Sequence, residues 1–149
     1  MAFDPAAFFD RIDEVVLGAI VETMVLAASA DGDFDDGERT ELAAQLRTLA
    51  EGTPLAAAVA GDALEAALGT AVEELARDGR QARLSSVKTR LEDARARKGA
   101  LALAMRVVAS DGVIRTSERE LLMDLAEGLD IDRDEAADLV RDLSRPTQG

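Results

Sequence analysis

The feature that most constrains this chain is that it repeats itself. An ungapped shift of 80 residues lays Asp31-Gly32 on Asp111-Gly112, Glu38-Arg39 on Glu118-Arg119, Leu42 on Leu122 and Leu49 on Leu129. Apolar character carries over too: Phe34 falls on Ile114, Val25 on Met105 and Ala28 on Val108. The shared frame is Asp-Gly-x-apolar-x-x-x-Glu-Arg-x-x-Leu. No low-complexity linker divides the 149 residues, so one domain with internal pseudo-two-fold symmetry is expected over 1–149.

Periodicity gives each copy the order helix, tight loop, helix, loop, short helix. The first long helix is expected to start at Asp4-Pro5, where Asp caps and Pro suits the first helical position. Its apolar residues Ile12, Val15, Val16, Ala19 and Ile20 recur every three or four residues. It should stop near Asp31-Gly32, where glycine can take the left-handed cap conformation. The matching helix is expected from about Ser85 to Ser110, with Val87, Leu91, Ala94, Leu101, Met105 and Val108 inward. The next pair begins near Asp35, where Asp35-Asp36-Gly37-Glu38 fits a capping box, and near Thr116 or Ser117. These helices should bury Leu42, Leu46 and Leu49, and Leu122, Leu125 and Leu129. Third helices follow Gly52-Thr53-Pro54 and Asp132-Arg133-Asp134-Glu135. An unduplicated helix over about 62–78, with Leu64, Leu68, Val72 and Leu75 on one stripe, ends at Arg77-Asp78-Gly79. The expectation is an all-α bundle of about seven helices, with repeat one at about 5–64 and repeat two at about 85–144.

Composition enters mainly through what it excludes. A core with four Phe as its only aromatic residues suits closely packed helices better than sheets. With no Cys and no His, disulfides, thiol redox chemistry and thiolate or imidazole metal sites are absent. The commonest general base is missing as well, and no catalytic residue is assigned. The formal charge of −13 opposes nucleic acid and anionic lipid. Met1-Ala2-Phe3-Asp4-Pro5 lacks the positive start of a secretory signal. The most apolar stretch, Val15 to Ala30, is short for a span and contains Glu22, so a cytoplasmic address is expected.

Hard cations, which take carboxylate oxygens, stay open. From 31 to 41 the first copy holds Asp31, Asp33, Asp35, Asp36, Glu38 and Glu41 against Arg39 alone. Crowded carboxylates repel unless solvent or a cation screens them. Asp31-x-Asp33-x-Asp35 looks like the opening of an EF-hand, but the glycine comes one place late, at Gly37. The twelfth position is Leu42 where a bidentate Glu is required, and copy two has Val113 and Arg115 in place of acids. An EF-hand is rejected. Helix capping is the rival reading of these acids, since Asp or Glu in a first turn meets the positive end of the helix dipole. It suits Asp31 and Asp111 least, because an acid is disfavoured where a helix ends.

Ala30-Asp31-Gly32-Asp33-Phe34 with Glu38-Arg39, repeated as Ser110-Asp111-Gly112-Val113-Ile114 with Glu118-Arg119, resembles the TerB-like tellurite-resistance family. That family also includes the N-terminal region of the membrane-anchored co-chaperone DjlA. The resemblance spans roughly 12–144. It implies a helical bundle with acidic positions near the ends of paired helices, and a role in stress or tellurite resistance. It further implies binding of a divalent cation and assembly with other resistance-system proteins, including indirect association with the inner face of a membrane. Carried over, the metal-ligating positions are Asp31, Glu38, Asp111 and Glu118, with Asp33 and Asp35 as further candidates and Ca²⁺, Mg²⁺ or Mn²⁺ as the ion.

The run from Arg77 to Lys98 has eight basic against three acidic side chains, a net of +5. It reads either as a solvated face offsetting the acidic remainder or as a docking surface for an acidic protein. Without Tyr or Trp to stack on bases, nucleic acid is not an expected partner. Three functions stay in view. The leading one is a non-enzymatic TerB-like module binding a divalent cation or a basic protein through its acidic loops. The second is a metal-independent helical adaptor. The third is a carboxylate hydrolase with a metal bridged across the two copies. A homodimer is a further expectation if Leu55 to Ala60 is a seam rather than core.

Overall fold

A computed structural model of the chain describes residues 9, 13–29, 36–52, 55–108 and 116–144. The side chains of residues 38, 49, 55, 58, 107, 108, 117, 118 and 142–144 lie outside the description. Two helices make the centre. α1 (Glu14–Ala28) and α6 (Ala94–Val108) pack against each other, and both are buried over long uninterrupted runs, 19–27 in α1 and 99–105 in α6. A helix that hides its whole circumference needs apolar residues on every side. Both sequences supply them: Ala19, Ile20, Val21, Met24, Val25 and Leu26 in the one, Leu101 to Met105 in the other.

The outer helices bury one stripe each. α2 (Asp36–Ala50) lies on α4 and α6 and buries Leu42, Ala43 and Leu46, and α7 (Thr116–Gly128) lies on α1 and α6 and buries Leu122 and Leu125. α3 (Leu55–Ala58) is a single turn followed by buried Val59, and α4 (Ala63–Asp78) covers α1 and α2 with Leu64, Leu68 and Ala71. α5 (Arg80–Arg90) crosses α1, α4 and α7, and α8 (Arg133–Ser144) closes over α6 and α7. Among the described residues there is no strand, and the bundle consists of seven helices of 11 to 16 residues plus the four-residue α3.

The repeat survives as helix register. α1 and α6 run over 14–28 and 94–108, and α2 and α7 begin at 36 and 116, so the shift of 80 holds for these two helix pairs. Packing is reciprocal: α2 touches α6 and α7 touches α1. α4 lies on α1 and α2, and α8, which the shift of 80 pairs with α3, lies on α6 and α7.

Three boundaries depart from expectation. α1 begins at Glu14, because Asp13 has extended backbone and its carboxylate accepts the Val16 N–H at 2.9 Å, while the start expected at Asp4-Pro5 lies outside the described residues. Val15 consequently faces out, 53% exposed. The single helix expected from Ser85 to Ser110 is broken at Leu91-Glu92-Asp93 into α5 and α6. There Asp93 accepts the Arg95 N–H at 3.0 Å as the cap of α6. Arg97 turns back to donate to Leu91 O at 2.5 Å and Lys88 O at 2.9 Å, satisfying carbonyls at the end of α5. The third helix after Pro54 shrinks to α3, where its copy-two partner α8 keeps three turns. α7 ends in a Schellman motif, with Ile131 N–H on Ala126 O at 2.9 Å, Asp130 N–H on Glu127 O at 3.1 Å and Asp130 at φ 58°.

The turn that sets α5 against α1 depends on Gly79, at φ 85° and ψ 166°, a region open in practice only to glycine. A Cβ there would meet no atom within 4 Å, so any cost of adding one comes from the backbone alone. Gly79→Ala is expected to lower unfolding free energy by about 1–3 kcal/mol, read as a lower urea midpoint at unchanged m-value.

Candidate functional site

Of the sequence-predicted ligands, Asp31, Asp33, Asp35 and Asp111 lie outside the described residues. Glu38 and Glu118 fall at matching places, the third residues of α2 and α7, but their side chains are likewise outside the description. Among the described residues no group of three or more carboxylates could hold a metal ion.

The charged centre that is described lies elsewhere. Glu22 sits in the middle of the most apolar helix and is 2% exposed. A carboxylate in that position is tolerable only when fully paired and hydrogen-bonded. α5 supplies the partners. Arg83 donates to Glu22 Oε2 at 2.5 Å and Oε1 at 3.0 Å, and Arg90 donates to Oε1. Arg83 also reaches Glu74 at 2.5 Å and Asp78 at 3.1 Å on α4, and Arg77 grips Asp78 at 2.9 and 3.1 Å. Three guanidinium groups thus face three carboxylates across α1, α4 and α5. Hydrogen bonding to Glu22 holds Arg83 above the ordinary arginine range despite its burial. The Arg77 guanidinium, with Arg83 behind it, draws the Asp78 carboxyl down to about 2.

Arg80, one turn before Arg83, donates to Leu26 O at 2.8 Å in the last turn of α1. No basic residue of α1 itself occupies that turn, so Arg80 supplies the cation that the helix dipole favours there. Burial pushes its pKa down. The basic run is therefore not a uniformly solvated face: Arg80, Arg83, Arg90 and Arg97 turn inward onto Glu22 and helix-end carbonyls. α5 buries only Leu84 and Val87, so these polar contacts carry much of its attachment. Sequence reading missed this centre. The signal was Glu22 itself, a lone charge inside an apolar run, with arginines at 80, 83 and 90 to answer it.

Next to the network, α1 and α4 part to leave a cleft of about 340 Å³. Leu17 and Gly18 of α1 and Ala67 and Ala71 of α4 form walls, and Glu22, Glu74 and Arg90 close one end. The network thus fixes α5 and shapes a small cavity.

No family model matches this chain, and neither any curated protein nor any solved structure matches it. The fold and site define an all-helical duplicated bundle, and among the described residues no helix is long and apolar enough to cross a membrane.

Two outcomes test the network. Glu22→Gln leaves two arginines facing an uncharged amide, and a loss of about 2–4 kcal/mol is expected by urea denaturation. That lies at or below the usual range for a broken buried pair, because the Arg90 side chain is 25% exposed and can be rehydrated in part. Glu65→Gln, which removes the exposed Arg47–Glu65 pair at 2.8 Å, should barely move the transition. For Asp78 the folded pKa of about 2 lies below the roughly 3.9 of an unfolded Asp. Its stabilisation is present above about pH 4 and is lost as pH falls through about 2. A ¹³C titration of the side-chain carboxyl should place the midpoint near 2, and Arg77→Gln should raise it.

Proposed function

We propose that this protein is a non-enzymatic TerB-like module that binds a divalent cation at its two acidic segments and engages basic protein partners there. The observation that carries this reading is the register of the duplication. Asp31 comes three residues after the last residue of α1 and Asp111 three after the last of α6, and Glu38 and Glu118 stand third in the helices that follow. One acidic frame thus occupies equivalent connections in both halves. Capping accounts for the two glutamates in first turns, where the helix dipole favours them. It does not account for an aspartate kept after both central helices, where the dipole opposes an acid. A hard cation taking carboxylate oxygens would compensate both. A role in stress or tellurite resistance, in the cytoplasm and in company with other proteins of such a system, follows from the TerB-like resemblance.

The test is calorimetric titration of EDTA-stripped protein with Ca²⁺, Mg²⁺ and Mn²⁺. Saturable binding is expected at micromolar to low-millimolar ion, and its loss in the Asp31→Asn, Asp111→Asn double variant with helicity intact. If no ion binds the unaltered protein, the cation reading fails, and the metal-independent adaptor takes its place.

A further inference from the structure

The helix that answers Glu22 carries charge of one sign. Over Arg80–Arg90, α5 holds Arg80, Arg83, Lys88 and Arg90 and no acid. The elements beneath it supply the opposite sign: Glu22 on α1, Glu74 and Asp78 on α4, and Asp130 just past α7, 3.2 Å from Lys88 Nζ. Apolar burial adds Leu84 and Val87 within the helix and Leu91 at its cap, where α1 buries the whole of 19–27.

The two kinds of attachment respond differently to opening. An apolar side chain loses its gain whenever it returns to water. An ion pair is costly to break when one partner is cut away, because the other is stranded in the interior, but the pair adds little net stability over its hydrated parts. Glu22→Gln is the first case. Lifting α5 is the second, since Glu22, Arg83 and Arg90 regain their hydration together. The network therefore decides where α5 sits more than how firmly it is held there.

The two ends of α5 suit such a movement. Gly79 joins it to α4 at φ 85°, and a Cβ there would meet no atom within 4 Å, so this joint is unobstructed. At the other end the helix stops at Leu91, where Arg97 of α6 holds Leu91 O and Lys88 O and fixes a pivot. We propose that α5 is a strap that lifts from α1, α4 and α7 as one unit about these joints while α1 and α6 stay folded. Lifting bares the carboxylates of Glu22 and Glu74 on one side and frees a helix of four cations on the other. The strap is independent of any ion at the acidic segments.

The chain has no cysteine, so a single introduced thiol reports its own exposure. Val87→Cys places one under α5 and Met105→Cys one in α6, both at fully buried positions. In the full chain with excess methyl methanethiosulfonate, the thiol at 87 is expected to label about tenfold or more faster than the thiol at 105. Its rate should also depend less steeply on urea, because the opening exposes less surface. Leu46→Ala, on α2 against α4 and α6, should speed labelling at 105 about 30-fold or more and leave labelling at 87 within about twofold, since the lifted state keeps the Leu46 contacts. Amide exchange of the unaltered chain covers the case that a thiol variant fails to fold. Leu84 to Thr89 should exchange through an opening of small urea dependence, and the centres of α1 and α6 only through global unfolding. Equal labelling rates and urea slopes at 87 and 105, equal acceleration of both by Leu46→Ala, or α5 amides exchanging together with those of α1 and α6 would overturn the proposal.

Discussion

Burial of the Glu22 carboxylate organises more of this molecule than any other single contact. A charge in the middle of a helix covered on all sides cannot be left to solvent, and its partners must arrive on a neighbouring element with the right reach. α5 meets that demand. It has too few buried apolar residues to dock firmly by hydrophobic contact alone, yet Arg83 and Arg90 converge on Glu22 and Arg80 reaches the end of α1. Arg83 then passes the constraint to α4 through Glu74 and Asp78. Three helices are thereby fixed relative to one another by geometry as well as by area. Hydrophobic burial would tolerate a helix sliding by part of a turn, whereas hydrogen bonds from the Arg83 guanidinium to both oxygens of one carboxylate would not.

The duplication explains why only one half needs this device. By the shift of 80, Ala102 stands where Glu22 does, and Arg97 and Lys98 stand where Leu17 and Gly18 do. α6 keeps its centre apolar and places its charges at its beginning, where Arg97 closes the end of α5 and Lys98 crosses to α8. α1 has the opposite arrangement, with a charge at its centre and a small residue near its start. The two halves share a backbone plan and differ in how their seams are closed. The first half takes on an extra helix, α5, to match Glu22, and is left with a cleft at Gly18.

Much of the fold could be read from the residues because it depends on local periodicity and on the repeat. Leu42, Leu46, Leu122, Leu125 and Leu129 were expected inside and are buried, and Gly79 was expected to end α4 and does. What escaped were decisions made by single polar side chains. Asp13 starts α1 by capping it, and Asp93 breaks what periodicity alone would continue, yet both look like ordinary surface acids in a chain rich in them. The direction of the arginines escaped for a related reason. A net charge of +5 along a segment says nothing about which residues turn inward. That depends on a long-range partner 61 residues away, as Arg83 is from Glu22. The acidic frame was legible as a pattern and gave the proposed function. The cleft was not, since it arises where α4 of one region meets α1 of another.

The inward arginines also change the meaning of the net charge. Arg80 and Arg97 are engaged with backbone carbonyls, and Arg83 and Arg90 with buried Glu22 and its neighbours. Four of the seventeen basic residues are therefore turned partly away from the outer surface, together with buried Glu22 and the partly buried Glu74 and Asp78 side chains. Cations are then favoured wherever carboxylates are left without an internal partner. Among the described residues Glu14 fits that condition.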